Sequence, residues 1–254
     1  MSIKIMTFNL RYDNEGDGVN YFPNRLSRIL EVIEREKPDI IGFQEVTDNI
    51  RATMYASLKG YLFAGCGRDA RYHGESMLVA YRYESLEMIK CDNTWLSETP
   101  SVPGSRYGGD HSGCPRMFTT LLLKHNEYDA PFYFINTHLD HEGANGRLLE
   151  SKQLCKAIEA LDGHIIMTGD FNAEPSAPEI KYILTSLKSK GVIDCTSEIE
   201  PTFHNFGRLS KDECVKIDYI FTSGKCLRSY KIEDEAPNGL YYSDHNAVVA
   251  EIEI

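Results

Sequence analysis

The sequence lacks paired cysteines, long apolar runs and an excess of basic residues. Its seven cysteines are scattered, which argues against a disulfide framework or a zinc ribbon and favours reduced thiols in a cytoplasmic protein. No apolar stretch approaches the ~20 residues that a membrane helix needs. The net charge of -11 argues against a general nucleic-acid surface, because binding a phosphate backbone requires clustered Lys and Arg. We therefore expect neither a membrane nor a stable nucleic-acid partner, and the sequence predicts no oligomeric state.

The chain reads as one α/β domain over residues 1–254. A layered α/β fold of 254 residues is often a single domain, and we find no internal repeat or linker that divides it. The first residues, Ile3 to Phe8, already alternate like a strand, so we expect no signal peptide, with an already removed leader as the alternative. The stretch 94–115 is rich in Gly, Ser and Pro and predicts a long functional or mobile loop.

Apolar periodicity predicts more strands than helices. Strands are predicted at residues 3–8, 39–46, 77–83, 116–123, 132–137, 165–168, 216–222 and 247–254. Helical spacing predicts helices around residues 26–33, 154–161 and 180–187. Pro38 follows the first helix, and Ser176 to Glu179 reads as a capping box before the third. Because several strands follow one another without a helix, we predict mixed or antiparallel sheets covered by helices.

Polar residues stand at the ends of several predicted strands. The clearest case is Gly169-Asp170-Phe171-Asn172, where strand alternation would place the acid and the amide on one face. The same arrangement recurs at Asn9, Glu45, His138, Asp218 and the pair Asp244-His245. A carboxylate after an apolar strand, such as Glu45, is costly to bury unless it is paired or bound to a cation, and Mg²⁺ prefers such oxygen ligands. Each residue taken alone could equally be an ordinary turn or surface residue.

Taken in order, these motifs resemble those of the endonuclease/exonuclease/phosphatase superfamily. The matching segments are Thr7-Phe-Asn9, Gln44-Glu45, Asn136-Thr-His138, Gly169-Asp-Phe-Asn172, Ile217-Asp218 and Ser243-Asp-His245. The resemblance implies a DNase I-like fold, a four-layer α/β sandwich with two central mixed β-sheets flanked by helices. It also implies a metal-dependent hydrolase of phosphoesters, which could be a phosphodiesterase, a phosphatase or a nuclease. The stretch 95–100 and the pieces 67–69 and 74–76 resemble a bacterial branch of metal-dependent hydrolases.

The resemblance also assigns roles to individual residues. The expected metal ligands are Glu45, Asn9 and Asp244, the expected catalytic residues are Asp170, Asn172, His245, Asp218 and His138, and Arg116 is an expected substrate contact. The cofactor would be Mg²⁺, with Mn²⁺ or Ca²⁺ as substitutes. Asp170 and Asn172 would orient the attacking water, Asp218 would fix the tautomer of His245, and the two histidines would contact the scissile phosphate. A guanidinium such as that of Arg116 suits bidentate phosphate recognition.

Three alternatives stay open at this point. The segment His138-Leu-Asp140-His141 could bind zinc, although oxygen and amide ligands favour harder cations. A DNA-processing nuclease of the abasic-site type conflicts with the acidic charge. A binding protein without turnover would have no use for a water-orienting acid. The sequence therefore favours a divalent-metal-dependent hydrolase of a small or single-stranded phosphoester, and it does not predict the substrate or the pathway.

Overall fold

The computed structural model describes residues 2–254 as two six-stranded β-sheets with helices on their outer faces. The strands are β1 (Ser2–Asn9), β2 (Ile40–Gln44), β3 (Tyr61–Ala64), β4 (Val79–Arg82), β5 (Leu86–Trp95), β6 (Met117–His125), β7 (Phe132–His138), β8 (His164–Asp170), β9 (Ile193–Asp194), β10 (Asp218–Thr222), β11 (Lys225–Lys231) and β12 (Val248–Glu253). The helices are α1 (Phe22–Glu36), α2 (Asp48–Ser57), α3 (Ala144–Glu159) and α4 (Pro178–Ser186). No helix within residues 2–254 is both long and apolar enough to cross a membrane.

Both sheets are mixed. The first has the strand order β11-β12-β1-β2-β4-β3, and the second has the order β5-β6-β7-β8-β10-β9. The pairs β1–β2 and β7–β8 are parallel, and the other neighbouring pairs of the described strands are antiparallel. The expected pair of central mixed sheets is confirmed.

Side-chain alternation along the strands produces four layers. In β1, Ile3 and Ile5 pack between the two sheets, whereas Met6 and Phe8 pack on the opposite face together with residues of α1 and α2. In the second sheet, the outward-facing residues of β7, β8 and β10 pack with α3 and α4. Each sheet is apolar on both faces, so one face packs against the other sheet and the opposite face packs against helices. The result is the predicted order of helices, sheet, sheet and helices.

The helix boundaries follow local signals, with one exception. Helix α1 buries the predicted apolar stripe and ends at Lys37, which adopts a left-handed conformation (φ 50°) just before Pro38. The predicted capping box of α4 is wrong. The helix begins at Pro178 with Ala177 as its N-cap and no side-chain capping bond. Proline favours the first helical position because its φ is already helical and it lacks an N–H, so Ser176 lies one residue too early to cap.

A polar cluster joins the two sheets. It lies between the apolar residues of the inter-sheet layer and the ends of the strands. Asn136 Oδ1 accepts from Gln44 Nε2 at 2.7 Å and from Thr168 Oγ1 at 3.2 Å, and Asn136 Nδ2 donates to the Phe43 carbonyl at 2.7 Å. The sheets approach closely here because Gly42 has no side chain. A Cβ at Gly42 would lie 2.3 Å from Thr168 Oγ1 and 2.6 Å from Asn136 Oδ1. The cluster therefore depends on this glycine.

Replacing Gly42 with alanine is expected to destabilise the fold by about 1–3 kcal/mol, the usual cost of adding a methyl group to a packed interior. The free energy of unfolding in urea measures this effect. Gly108→Ala is the matched control, because its new Cβ would meet open space, and we expect it to stay within about 1 kcal/mol of the wild type. Equal stabilities for the two variants would contradict the proposed close approach.

Candidate active site

Four polar side chains form a row at one end of the inter-sheet layer. His138, Asp170 and Asp218 are register partners on the adjacent strands β7, β8 and β10. Asn9 is the last residue of β1 in the facing sheet, and its Nδ2 donates to Asp170 Oδ2 at 3.0 Å. Within its own strand, each of the four is separated by an even number of positions from an apolar residue that packs between the sheets, as Asp170 is from Ile166 in β8. Strand alternation therefore brings side chains from opposite ends of the chain into one place.

Glu45 joins this row from the end of β2. Its Oε1 lies 3.2 Å from Asn9 Nδ2, and its Oε2 accepts from the backbone N–H of Tyr12 at 2.9 Å. Glu45 adopts a φ of 60°, a left-handed conformation that costs a non-glycine residue on the order of 1 kcal/mol. The fold thus holds this carboxylate in a strained but well-supported position beside Asn9.

Asp244 completes the group of buried carboxylates. Ser243 donates through its hydroxyl to the backbone oxygen of Asn9 at 2.6 Å, which fixes the segment that carries Asp244. Burial raises the pKa of Asp244, His245 lowers it, and the nearby Glu45 raises it further. Arg11 Nε lies 3.7 Å from Asp244 Oδ2 but is also hydrogen-bonded to Asp17. The negative charge of Glu45, Asp170 and Asp244 is therefore incompletely compensated, and these oxygen donors fit a hard divalent cation.

The amide of Asn9 is oriented differently from the expected metal ligand. Its Oδ1 accepts from the backbone N–H of Arg11 at 2.9 Å, so its NH₂ group faces the carboxylates of Glu45 and Asp170. In this orientation Asn9 positions the two acids, and it would need to rotate its amide to offer an oxygen to a cation. Glu45 and Asp244 offer carboxylates to an ion, and within residues 2–254 the ligand atoms of Asp170, Asp218 and His245 lie within 4.8 Å of one another.

His245 and Asp218 form a buried ion pair next to Asp170. His245 Nδ1 lies 2.9 Å from Asp218 Oδ2, and its Nε2 lies 3.8 Å from Asp170 Oδ2. Burial lowers the pKa of His245, but Asp218 and then Asp170 raise it, to about 10. The ring of Phe203 packs against the imidazole at a centroid distance of 4.8 Å. The arrangement holds a positively charged imidazole with one nitrogen directed at the carboxylate row.

Asp170 lies at the centre of the group. Burial raises its pKa to about 7, with a further increase from Asp218 and a decrease from His245. Its Oδ1 accepts from the backbone N–H of Asn172 at 2.9 Å. A carboxylate with a pKa near neutrality can exchange a proton with a water molecule at physiological pH.

His138 and Arg116 form the opposite wall of the site. His138 Nε2 lies 3.6 Å from Asp170 Oδ2, whereas its Nδ1 has no hydrogen-bond partner among residues 2–254. Burial lowers the pKa of His138 well below its usual value, and Arg116 and Arg68 lower it further. Arg116 is 2% exposed, and its Nη2 lies 2.8 Å from His141 Nδ1. The Nε and Nη1 groups of Arg116 lack hydrogen-bond partners in the described part of the chain, and Nε lies 3.8 Å from Asp140 Oδ2, which pairs with the guanidinium charge.

Asn172 is not where strand alternation would place it. Strand β8 ends at Asp170, and Asn172 follows in a left-handed conformation with a φ of 48°. Its side chain donates to the Leu139 carbonyl at 3.0 Å. The expectation that Asp170 and Asn172 share one strand face is wrong, because the chain has already turned, and Asn172 reaches Asp170 through its backbone N–H instead.

The zinc alternative for His138, Asp140 and His141 is not supported, because within residues 2–254 these three do not form a group with ligand atoms close enough to share an ion. Asp140 turns away to accept from the backbone N–H groups of Gly143 at 2.8 Å and of Glu142 at 3.0 Å. Burial raises the pKa of Asp140, but these bonds and that from the Ser112 hydroxyl lower it to about 2. Asp140 also lies near His111 and Glu150, at the start of the loop that precedes α3. This carboxylate anchors a loop and does not face His138.

The sequence patterns did not single out two arginines that lie near the site. Arg11 lies beside Asp244, as described above. Arg25 is fully buried in α1, and its guanidinium donates to the backbone carbonyls of Leu10 and Tyr242, each at 2.7 Å. The position of Arg25 on the apolar stripe of α1 could have drawn attention, since an arginine is rarely buried without a reason.

The chain is similar to known proteins over almost its whole length. Residues 6–245 match a family model described as the Endonuclease/Exonuclease/phosphatase family. A crystal structure of an endonuclease/exonuclease/phosphatase from Bacteroides vulgatus is 30% identical, covers 100% of this chain and 99% of its own, and superposes with a TM-score of 0.92.

Two further relatives are similar over almost their whole length. The mannosyl-6-phosphatase of Bacteroides thetaiotaomicron is 26% identical, with 99% of this chain and 100% of that chain covered and a TM-score of 0.87. A protein of Acanthamoeba polyphaga mimivirus is 25% identical over 97% of this chain and 98% of its own. The resemblance seen in the sequence thus extends over the complete fold.

Proposed function

This chain belongs to the endonuclease/exonuclease/phosphatase family, and from that premise we propose that it is a Mg²⁺-dependent hydrolase of a small phosphoester. The observation that carries the proposal is that Asn9 Nδ2 donates to both Glu45 and Asp170 beside the His245–Asp218 pair. A divalent cation held by Glu45 and Asp244 would polarise the phosphoryl group and offset its charge. Mn²⁺ or Ca²⁺ could replace Mg²⁺ at oxygen ligands of this kind.

The protein side chains have separable roles in the proposed reaction. Asp170 would orient the attacking water and accept its proton, which a pKa of about 7 favours. Asn9 and the backbone N–H of Asn172 hold this carboxylate in place. The imidazolium of His245 would stabilise charge that develops on the phosphoryl oxygens, and Asp218 keeps it charged.

The opposite wall would bind the phosphoryl group. Arg116 has two N–H groups without hydrogen-bond partners in the described chain, although Asp140 lies 3.8 Å from its Nε, and His138 lies beside Asp170. These donors favour an anionic substrate that reaches the row of carboxylates from the side of Arg116. The net charge of -11 favours a small substrate over a nucleic-acid duplex. Members of the family include phosphatases and nucleases, and the similarity to a mannosyl-6-phosphatase supports phosphatase activity for this chain.

Replacing Glu45 with glutamine is expected to weaken Mg²⁺ binding about 10- to 100-fold, because one carboxylate of the proposed metal site loses its charge. Hydrolysis of p-nitrophenyl phosphate and of bis-p-nitrophenyl phosphate, measured against Mg²⁺ concentration, should show the shift. Isothermal titration with Mg²⁺ provides a readout that does not depend on turnover.

The matched control is Glu142→Gln, which makes the same chemical change at a side chain that is 66% exposed. It should leave the Mg²⁺ dependence unchanged. An unaltered Mg²⁺ dependence in Glu45→Gln, or the absence of hydrolysis of both esters by the wild type, would count against the proposed function.

A further inference from the structure

Arg11 keeps contact with solvent, unlike Arg25 and Arg116, the other two arginines described at the site. Its side chain is 24% exposed, whereas Arg25 is fully buried and Arg116 is 2% exposed. The Nε and Nη2 groups of Arg11 donate to Asp17, and its Nη1 makes no hydrogen bond within residues 2–254. In contrast to the unpartnered N–H groups of Arg116, this Nη1 is accessible to solvent. A molecule that enters the site from solvent can therefore reach it.

The pair with Asp17 fixes the guanidinium and determines which of its edges is free. Nε lies 3.1 Å from Asp17 Oδ2 and Nη2 lies 3.2 Å from Asp17 Oδ1, so the carboxylate takes the side edge of the planar group. The end edge, formed by Nη1 and Nη2, is left for a second acceptor. Asp17 is itself buried, and Arg11 Cζ lies 4.3 Å from the centre of the Tyr12 ring. The free edge is therefore held in place before a ligand arrives.

The backbone of Arg11 is fixed as firmly as its side chain. Its N–H donates to Asn9 Oδ1 at 2.9 Å, and its carbonyl accepts from Arg25 Nη2 at 3.0 Å. Arg11 adopts a left-handed conformation with a φ of 55°, which residues other than glycine seldom do. Strained residues of this kind cluster at functional sites, where the surrounding contacts maintain them.

The guanidinium borders the two carboxylates that are proposed to hold the cation. Arg11 Nε lies 3.7 Å from Asp244 Oδ2, and the next residue, Tyr12, donates its N–H to Glu45 Oε2 at 2.9 Å. The contact with Asp244 is longer than a hydrogen bond and lies on the side edge, so it leaves the end edge free. A phosphoryl group that approaches Glu45 and Asp244 meets negative charge, and Arg11 offsets part of it. A structural ion pair would account for the contact with Asp17 but not for an accessible edge at this place.

From these contacts we propose that Arg11 is a substrate-binding residue whose Nη1 and Nη2 groups bind the phosphoryl oxygens, and that Asp17 is the positioning residue that holds it. This proposal rests on the proposed function, because it adds a contact to the phosphoryl group in the same site. A guanidinium binds phosphate through two parallel N–H···O bonds, which supply orientation as well as charge. The same contact serves inorganic phosphate, because the product and the substrate both present terminal phosphoryl oxygens.

The test measures KM for the better of the two p-nitrophenyl esters and the inhibition constant of inorganic phosphate, both at saturating Mg²⁺. Arg11→Gln is expected to raise both constants about 10- to 100-fold, the loss expected when hydrogen bonds to a charged group are removed. The accompanying fall in kcat should be smaller than the rise in KM, as for a contact made equally in the bound substrate and in the transition state. Arg11→Lys should recover part of the affinity, because the charge returns without the planar fork. Asp17→Asn should raise both constants by a smaller factor than Arg11→Gln.

Calorimetric titration with Mg²⁺ separates a phosphoryl contact from a structural role. Arg11→Gln should bind Mg²⁺ at least as tightly as the wild type, because a positive charge beside Asp244 is removed. A structural role would instead displace Asn9 and Glu45 and weaken Mg²⁺ binding. Arg35→Gln is the matched control, because it makes the same change at a side chain that is 56% exposed, and it should leave KM and the phosphate inhibition constant unchanged.

An active enzyme whose KM and phosphate inhibition constant are unaltered by Arg11→Gln overturns this proposal and leaves the proposed function standing. A joint loss of phosphate and Mg²⁺ binding in both Arg11 variants has the same consequence. A wild type that hydrolyses neither p-nitrophenyl phosphate nor bis-p-nitrophenyl phosphate overturns both.

Discussion

Replacing His245 with glutamine is expected to lower kcat about 10³-fold, the upper range for removal of one preorganised donor from a buried site. The side chain is 5% exposed and pairs with Asp218 at 2.9 Å, so its positive charge is fixed before substrate binds. Glutamine can still donate a hydrogen bond but carries no charge. Single-turnover hydrolysis of a generic phosphoester at saturating Mg²⁺ measures the loss at the chemical step.

A double-mutant cycle separates the charge pair from each residue alone. Asp218→Asn should lower kcat by a smaller factor, because the imidazole stays in place but loses the carboxylate that keeps it charged. The double variant should be little worse than His245→Gln, since residues that act as a unit are not additive. His73→Gln serves as the control, because this side chain is 64% exposed. Additive effects of the two substitutions would contradict a coupled role.

Replacing Arg25 with methionine is expected to destabilise the protein by about 3–5 kcal/mol, as when one partner of a buried polar network is removed. Its guanidinium is completely buried, and burial lowers its pKa to about 10. It donates to four backbone carbonyls, those of Asn20 at 2.6 Å, Leu10 at 2.7 Å, Tyr242 at 2.7 Å and Arg11 at 3.0 Å. Methionine fills a similar volume but leaves these acceptors unsatisfied in the interior.

Urea unfolding in the absence of metal measures this cost without interference from the active site. Arg35→Met makes the same change on the same helix at a side chain that is 56% exposed, and it should alter the free energy of unfolding by less than about 0.5 kcal/mol. A similar small change for Arg25→Met would show that water replaces the lost donors. Because Leu10 directly follows Asn9 and Tyr242 lies two residues before Asp244, we also expect Arg25→Met to weaken Mg²⁺ binding.

The sequence predicted the elements that are buried on both faces and missed those at the edges. All eight predicted strands and all three predicted helices correspond to elements of the structure. The strands that were missed include β5 and β11, which lie at the edges of the two sheets and carry many exposed polar residues. Helix α2 was missed because it buries only Ile50 and Met54, too narrow a stripe for a clear helical period.

The candidate site was predictable to a similar extent. Asn9, Glu45, His138, Asp170, Asp218 and His245 stand at or just beyond the ends of strands, and the structure brings them together. The turn at Asn172 was not predicted, because nothing in Gly169-Asp-Phe-Asn reveals that the strand stops at Asp170. The catalytic and metal-binding roles of these residues stay predictions until the variants are measured.

The amino-acid sequence by itself determined which side chains alternate into the layer between the sheets and which polar residues end their strands. It could do so because alternation and chain breaks are local properties of a few neighbouring residues. Only the tertiary structure decided that Arg11 lies beside Asp244, that Arg25 holds two distant loops, and that Asn9 turns its NH₂ group toward the acids. Such contacts join segments that are far apart in the chain, and they depend on strand order and on the way two sheets pack, which no local pattern specifies.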